Sequence, residues 1–208
     1  MEIKRLVLGM VSTNCYIVYT EESKKAVIID PAADAGRIME EIASLEVTPE
    51  AVLLTHGHFD HMLAAESLRN GYQIPVCILK EDAELLQQPE LNCSQLFLRM
   101  TYGITADQLL EDGQKLDFLD GAMKVIATPG HTEGSCCYYA EAEGVLFSGD
   151  TLFQESVGRT DLPTGQAGKL SRSIKEKLFV LPESTLVLSG HGMETTIGEE
   201  KRNNPYVF

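Results

Sequence analysis

Short apolar runs separated by polar, glycine-bearing stretches set the rhythm of this chain. Residues 15–19, 26–29, 51–54 and 76–79 form four such runs in the first half; 123–127, 136–139, 145–147 and 186–188 form four in the second. Apolar runs this short predict strands. Helical spacing replaces that pattern in two places. Ile38, Ile42 and Leu45 mark one apolar face behind Asp34, a candidate N-cap, and Leu170, Ile174 and Leu178 mark another. Both faces predict core packing rather than partner binding.

The halves echo each other weakly. Ala-Val-Ile-Ile-Asp30 parallels Val-Leu-Phe-Ser-Gly-Asp150, and Ala-Val-Leu-Leu-Thr-His56 parallels Leu-Val-Leu-Ser-Gly-His191. Polar residues often follow buried strands, so the echo has an ordinary explanation. Taken as a repeat, it predicts two sheet-plus-helix halves packed face to face, with chemistry at the strand ends where α/β folds place their ligands. Residues 80–113 break the rhythm with helical fragments around Gln-Gln-Pro-Glu-Leu-Asn and Tyr-Gly-Ile-Thr. They read either as a helical insertion at the edge or as a lid that shapes a pocket.

Composition narrows the class. A chain of 208 residues, 44% hydrophobic and 23% charged, fits a globular domain spanning 1–208. Residues 6–11 follow Lys4 and Arg5 but are too few for a secretory h-region, so a cytoplasmic location with no membrane span is expected. The five cysteines are odd in number and show no C-x-x-C spacing, which excludes a disulfide framework. Cys77, Cys136 and Cys137 lie in strand-like sequence and read as buried thiols. A net charge of −14 argues against nucleic acid as a partner. It leaves a small anionic substrate open, because two divalent cations would invert the local field.

Candidate chemistry concentrates in residues 55–61, Thr-His-Gly-His-Phe-Asp-His. Three imidazoles and a carboxylate in one place are costly to desolvate unless a cation binds them. His131 in Thr-Pro-Gly-His-Thr and His191 in Ser-Gly-His-Gly complete the chain's five histidines. One polynuclear metal site accounts for all five. His56 and His58, spaced by Gly57 in a loop, can share one ion with His131. Asp60 and His61, at a helix start, can turn to a second ion with His191. Asp150, following Gly149 at a strand end, can bridge both.

His56-Gly-His58-Phe-Asp60-His61, with His131, Asp150 and His191 in this order, resembles the metallo-β-lactamase superfamily. The likeness runs from Asn14-Cys15-Tyr16 to Asn204-Pro205-Tyr206. Within the superfamily, Ser-Val-Gly-Arg159-Thr-Asp161-Leu-Pro and Gly-His191-Gly-Met-Glu-Thr-Thr-Ile-Gly-Glu resemble short bacterial relatives of the glyoxalase II-like hydrolases, the hydroxyacylglutathione hydrolases. The resemblance implies an α/β fold, a four-layer αβ/βα sandwich of two mixed sheets with flanking helices. It implies His56, His58 and His131 on metal 1, Asp60, His61 and His191 on metal 2, and Asp150 bridging. The ions would be two divalent metals, zinc foremost, with iron or manganese as alternatives. Asp30 is expected to orient a ligand histidine from behind.

The expected reaction is attack by metal-activated hydroxide on a small-molecule thioester or ester, with Asp60 orienting the nucleophile. Full-length glyoxalase II enzymes carry a C-terminal helical domain that grips glutathione, whereas seventeen residues follow His191 here. Arg159 stands where they commonly have a glutathione-binding lysine, and Asp161 where they have a tyrosine. Arg159 could grip a substrate carboxylate, or the pair could be a structural contact. Two other readings remain: a persulfide dioxygenase with one iron, which leaves His61 and His191 unexplained, and a non-enzymatic metal-binding or redox scaffold.

Overall fold

A strand whose consecutive residues are all apolar buries both of its faces, and the central strands here do so. The computed structural model describes residues 1–207. The first half builds a six-stranded sheet from β1 (Glu2–Leu8), β2 (Thr13–Tyr19), β3 (Lys25–Ile29), β4 (Thr48–Leu53), β5 (Val76–Leu79) and β6 (Gln108–Leu110), paired in that order. β1 to β3 are antiparallel neighbours, and β3 to β6 run parallel. The second half supplies β7 (Lys124–Ala127), β8 (Cys136–Ala140) and β9 (Val145–Gly149), then a ribbon of β10 (Leu152–Phe153) and β11 (Ser156–Val157). β12 (Leu186–Ser189) and β13 (Thr195–Thr196) complete a second sheet ordered β13–β12–β9–β8–β7, in which only β12 and β9 are parallel.

Strand alternation sorts the side chains into three cores. Tyr16, Val18, Val27, Ile29 and Leu53 of the first sheet meet Val125, Tyr138 and Phe147 of the second. On the first sheet's other face, Ile17, Ile28 and Val52 pack with Ile38 and Ile42 of α1 (Ala35–Leu45). The single turn α2 (Phe59–Met62) and α3 (Ala65–Tyr72) join that layer through Met62 and Leu68. Beyond the second sheet, Cys137, Leu146 and Val187 meet Leu170, Ile174, Leu178 and Ile197. Leu170 lies on the helix at Ala167–Ser173, which continues into a π-helical turn, and Ile197 opens the C-terminal helix. The result is the expected four-layer α/β sandwich.

All eight predicted strands form, and Asp34 caps α1 by accepting from the Arg37 amide at 3.3 Å. Five strands were not foreseen. β1 is an exposed edge strand, and β6, β10, β11 and β13 have only two or three residues. Residues 80–113 are not wholly helical. They hold a 3₁₀ turn, α4 (Ala83–Gln87), α5 (Ser94–Leu98) and finally β6, which edges the first sheet. With α4 and α5 placed, the remaining helices are α6 (Ala167–Ser173) and α7 (Ile197–Asn203). No helix among the described residues is long and apolar enough to cross a membrane.

Candidate metal centre

Buried strands end where polar chain begins, and here those ends converge on one edge of the sandwich. β3 delivers Asp30, β4 the Thr55–His61 loop, β7 the turn carrying His131, β9 Asp150 and β12 His191. The sheets are pinned together at this edge. The Tyr16 hydroxyl donates to the Ser189 carbonyl and the Tyr138 hydroxyl to the Leu54 carbonyl, each at 2.7 Å. Asn14 donates from its backbone to Gly190 O (2.7 Å) and from its side chain to Ser189 O (2.9 Å). Close approach requires glycine twice. A Cβ at Gly149, whose φ is +48°, would collide with Thr55, and one at Gly190 would collide with Asp150 Oδ1.

All seven predicted ligand residues meet. His56, His58 and His131 form one group whose donor atoms lie within 4.8 Å of one another. Asp60, His61 and His191 form a second, and Asp150 groups with His56 and His61. His58 Nδ1 faces His131 Nε2 at 2.9 Å. Asp60 Oδ2 lies 3.3 Å from His191 Nε2 and 3.4 Å from His61 Nε2. Asp150 reaches both groups: Oδ1 is 3.5 Å from His61 Nε2, while Oδ2 is 3.6 Å from both His131 Nε2 and His191 Nε2.

Groups behind this layer aim it. Asp30, in the left-handed region at φ +50°, places Oδ2 2.9 Å from His61 Nδ1. The same carboxylate accepts from the Thr55 amide (2.8 Å) and hydroxyl (2.7 Å). With its hydroxyl proton given to Asp30, Thr55 accepts from His56 Nδ1 at 3.1 Å. His131 Nδ1 donates to the Arg159 carbonyl at 2.7 Å. Each contact leaves the opposite ring nitrogen, Nε2, free to face the site.

The donor set fits cations. His56 Nε2, His61 Nε2 and Asp150 Oδ1 are buried without a hydrogen-bond partner among the described residues. Orphaned buried polar atoms cost about 1–3 kcal/mol each, and bound cations would satisfy all three. Burial and then the surrounding imidazoles hold His56 well below the ordinary histidine range. Burial, and next the His131 imidazole, does the same to His58. Both rings are therefore neutral, the form that ligates a metal. Burial alone would also lower His61, but Asp60, Asp30 and Asp150 outweigh it and raise its pKa to about 10. Burial would raise Asp60, yet the imidazoles of His61, His191 and His58 hold it well below the usual carboxylate range. The carboxylates of Asp60, Asp30 and Asp150 thus favour positive charge at the second group.

Above the histidines opens a cavity of about 180 Å³. Arg159 lines it, with Nε and Nη2 donating to Asp161 Oδ1 and Oδ2, both at 2.7 Å. Cys93 and Phe97 line it as well, so the 80–113 segment supplies one wall. Sequence reading passed over these two and also Asp82. That carboxylate is fully buried and accepts from Gly57 N (3.0 Å), Thr132 Oγ1 (2.7 Å) and Gly134 N (2.6 Å). It ties the loop of His56 and His58 to the loop of His131. The available signal was its place three residues past β5, at the same sheet edge as Asp30.

The family model of the metallo-beta-lactamase superfamily matches residues 8–191. The hydroxyacylglutathione hydrolase GloC of Haemophilus influenzae is 34% identical, covering 100% of this chain and 98% of that protein. The crystal structure of BLEG-1 B3 metallo-beta-lactamase superposes with a TM-score of 0.93 at 42% identity, covering 99% of each chain. TTHA1623 in a di-iron-bound form superposes at 0.88 with 34% identity, covering 98% of this chain and 99% of that one.

Proposed function

The chain belongs to the metallo-beta-lactamase superfamily, whose members bind divalent metals, and on that premise we propose that it hydrolyses thioesters or related esters at a dinuclear site. One observation carries this reading: seven ligand-type side chains converge on one space. A single tetrahedral ion uses about four ligands, so seven suit two ions with Asp150 between them. His56, His58 and His131 would hold one, and Asp60, His61 and His191 the other. Imidazole and carboxylate donors suit zinc first, with iron or manganese as alternatives.

Bound divalent ions would supply Lewis acidity toward an acyl oxygen and toward water. The chain's own residues do the rest. Asp60 engages Thr13, His61 and His191 through Oδ2, so Oδ1 is the oxygen available to orient an attacking water. Asp30 and Thr55 fix the tautomers of His61 and His56. No thiol nucleophile is required: all five cysteines are buried, and burial pushes the Cys93 thiol upward beside the cavity.

The thioester choice draws on the likeness to GloC, by its name a hydroxyacylglutathione hydrolase. Likeness to a protein described as a B3 metallo-beta-lactamase makes β-lactam turnover the comparison assay. Metal analysis of purified protein should give about two ions per chain, with hydrolysis of S-lactoylglutathione or simpler thioesters abolished by chelation and restored by zinc or manganese. A single ion per fully active chain, or β-lactam turnover with inert thioesters, would overturn the proposal.

A further inference from the structure

The cavity wall that does not bind metal is apolar. Val11 from the β1–β2 turn, Phe97 from α5, Leu162 and Phe59 face the ligand residues across it. Phe97 stacks on Phe59, their ring centroids 5.7 Å apart and planes 25° apart. Phe59 sits between His58 and Asp60 in sequence, so this wall is fixed relative to the ligands. Phe97 and Val11 are each 45% exposed and line the same cavity, so they present apolar surface to it together. Met10, beside Val11, and Leu96 and Met100, in and just after α5, are exposed as well.

Charge points the same way. Arg159 is the one lysine or arginine among the described residues lining the cavity. Its guanidinium fork is closed on Asp161 through Nε and Nη2, so the one cation of the lining is already paired with a carboxylate. The chain as a whole carries −14. An anionic thiol carrier would find no unpaired protein cation here, whereas an alkyl or aryl group would cover Phe97 and Val11.

Resting on the hydrolase reading above, we infer that the substrate is an uncharged thioester or ester whose short apolar arm lies on the Val11–Phe97 wall. The arm is short because the cavity, at about 180 Å³, is smaller than the roughly 300–1,000 Å³ of drug-sized sites.

The test uses the metal-loaded protein and non-hydrolysable thioethers followed by calorimetry. S-hexyl-N-acetylcysteamine should bind at least about tenfold more tightly than S-hexylglutathione, which carries the same alkyl group and two carboxylates. Phe97→Ser should weaken the neutral hexyl ligand about tenfold, the order expected for losing one apolar contact face, and leave its S-methyl analogue unchanged. Val11→Ser repeats the test on a different segment, with metal content confirming that each variant is folded. Asp161→Asn, which frees the Arg159 fork, should narrow the gap by improving S-hexylglutathione several-fold. Equal or tighter binding of S-hexylglutathione to the unaltered protein, or indifference to alkyl length in both variants, overturns the inference. Selective neutral binding without turnover of any thioester or ester would sink the hydrolase reading and leave the apolar wall as a binding determinant.

Discussion

Asp150 is the carboxylate of the candidate centre that reaches three imidazoles across both groups, lying within 3.6 Å of nitrogens on His61, His131 and His191. Asp150→Ala should therefore lower both metal content and turnover further than His191→Ala, which removes a donor from one group only. Equal metal content in the two variants would remove the bridging role. His61 makes a pH prediction. In metal-free protein its pKa is raised from 6.5 to about 10, because three carboxylates outweigh burial. A raised histidine contributes stability that is complete below its unfolded pKa and is lost as pH rises through the folded one. The chelated protein should thus lose thermal stability between about pH 7 and pH 10. The zinc-loaded protein should not, because the cation stands in for the proton. A chelated-protein Tm that stays level over that window would contradict the assignment.

At the scale of elements, the loops after β4 and β7 belong to different sheets, and Asp82 holds them together. Asp82→Ala would orphan the Gly57 and Gly134 amides, which are otherwise satisfied by its carboxylate. The expected cost is roughly 3 kcal/mol, read as a lower urea midpoint, together with weaker metal retention at the group containing His58 and His131. Unchanged metal retention would make Asp82 a matter of stability alone. The strands make a second prediction. Cys15 lies in β2, Cys77 in β5, and Cys136 and Cys137 in β8, all buried. Burial pushes Cys77 to about 12 and Cys137 to about 11. The native thiols should resist a thiol reagent at pH 8 and become reactive only on unfolding. Replacing all five should leave hydrolysis largely intact, and a fall traced to one cysteine with metal content retained would favour a thiol mechanism.

Across the whole molecule, the centre is a joint between two sheets, with Asp30, His56 and His61 from one and His131, Asp150 and His191 from the other. Metal binding is then coupled to the packing of the halves. A ligand at 100 times its Kd adds about 2.7 kcal/mol per site, and about 2–4 °C of Tm accompanies each kcal/mol in a chain of this size. With two sites filled, chelation should lower Tm by about 10–20 °C while abolishing turnover. Unchanged Tm on exhaustive metal removal would mean that the sheets hold the site without help.

The sequence alone determined the strands that bury both faces, because consecutive apolar residues have no other place in water. It also determined the donor set, since three imidazoles and a carboxylate in Thr55–His61 have no low-cost use without a cation. Even the echo between Asp30 and Asp150, and between His56 and His191, matches paired parallel strands, β3 with β4 and β9 with β12. Edge strand β1 escaped notice because three of its first four residues are charged and its apolar run is confined to Leu6–Leu8, and the two-residue strands are too short to carry a run; their pairing is set by neighbours. Tertiary structure decided the rest. That residues 80–113 reach the cavity and that Asp82 clamps two loops depend on distances between residues remote in the chain. Such contacts are fixed by how the layers pack, and local sequence carries no term for that packing.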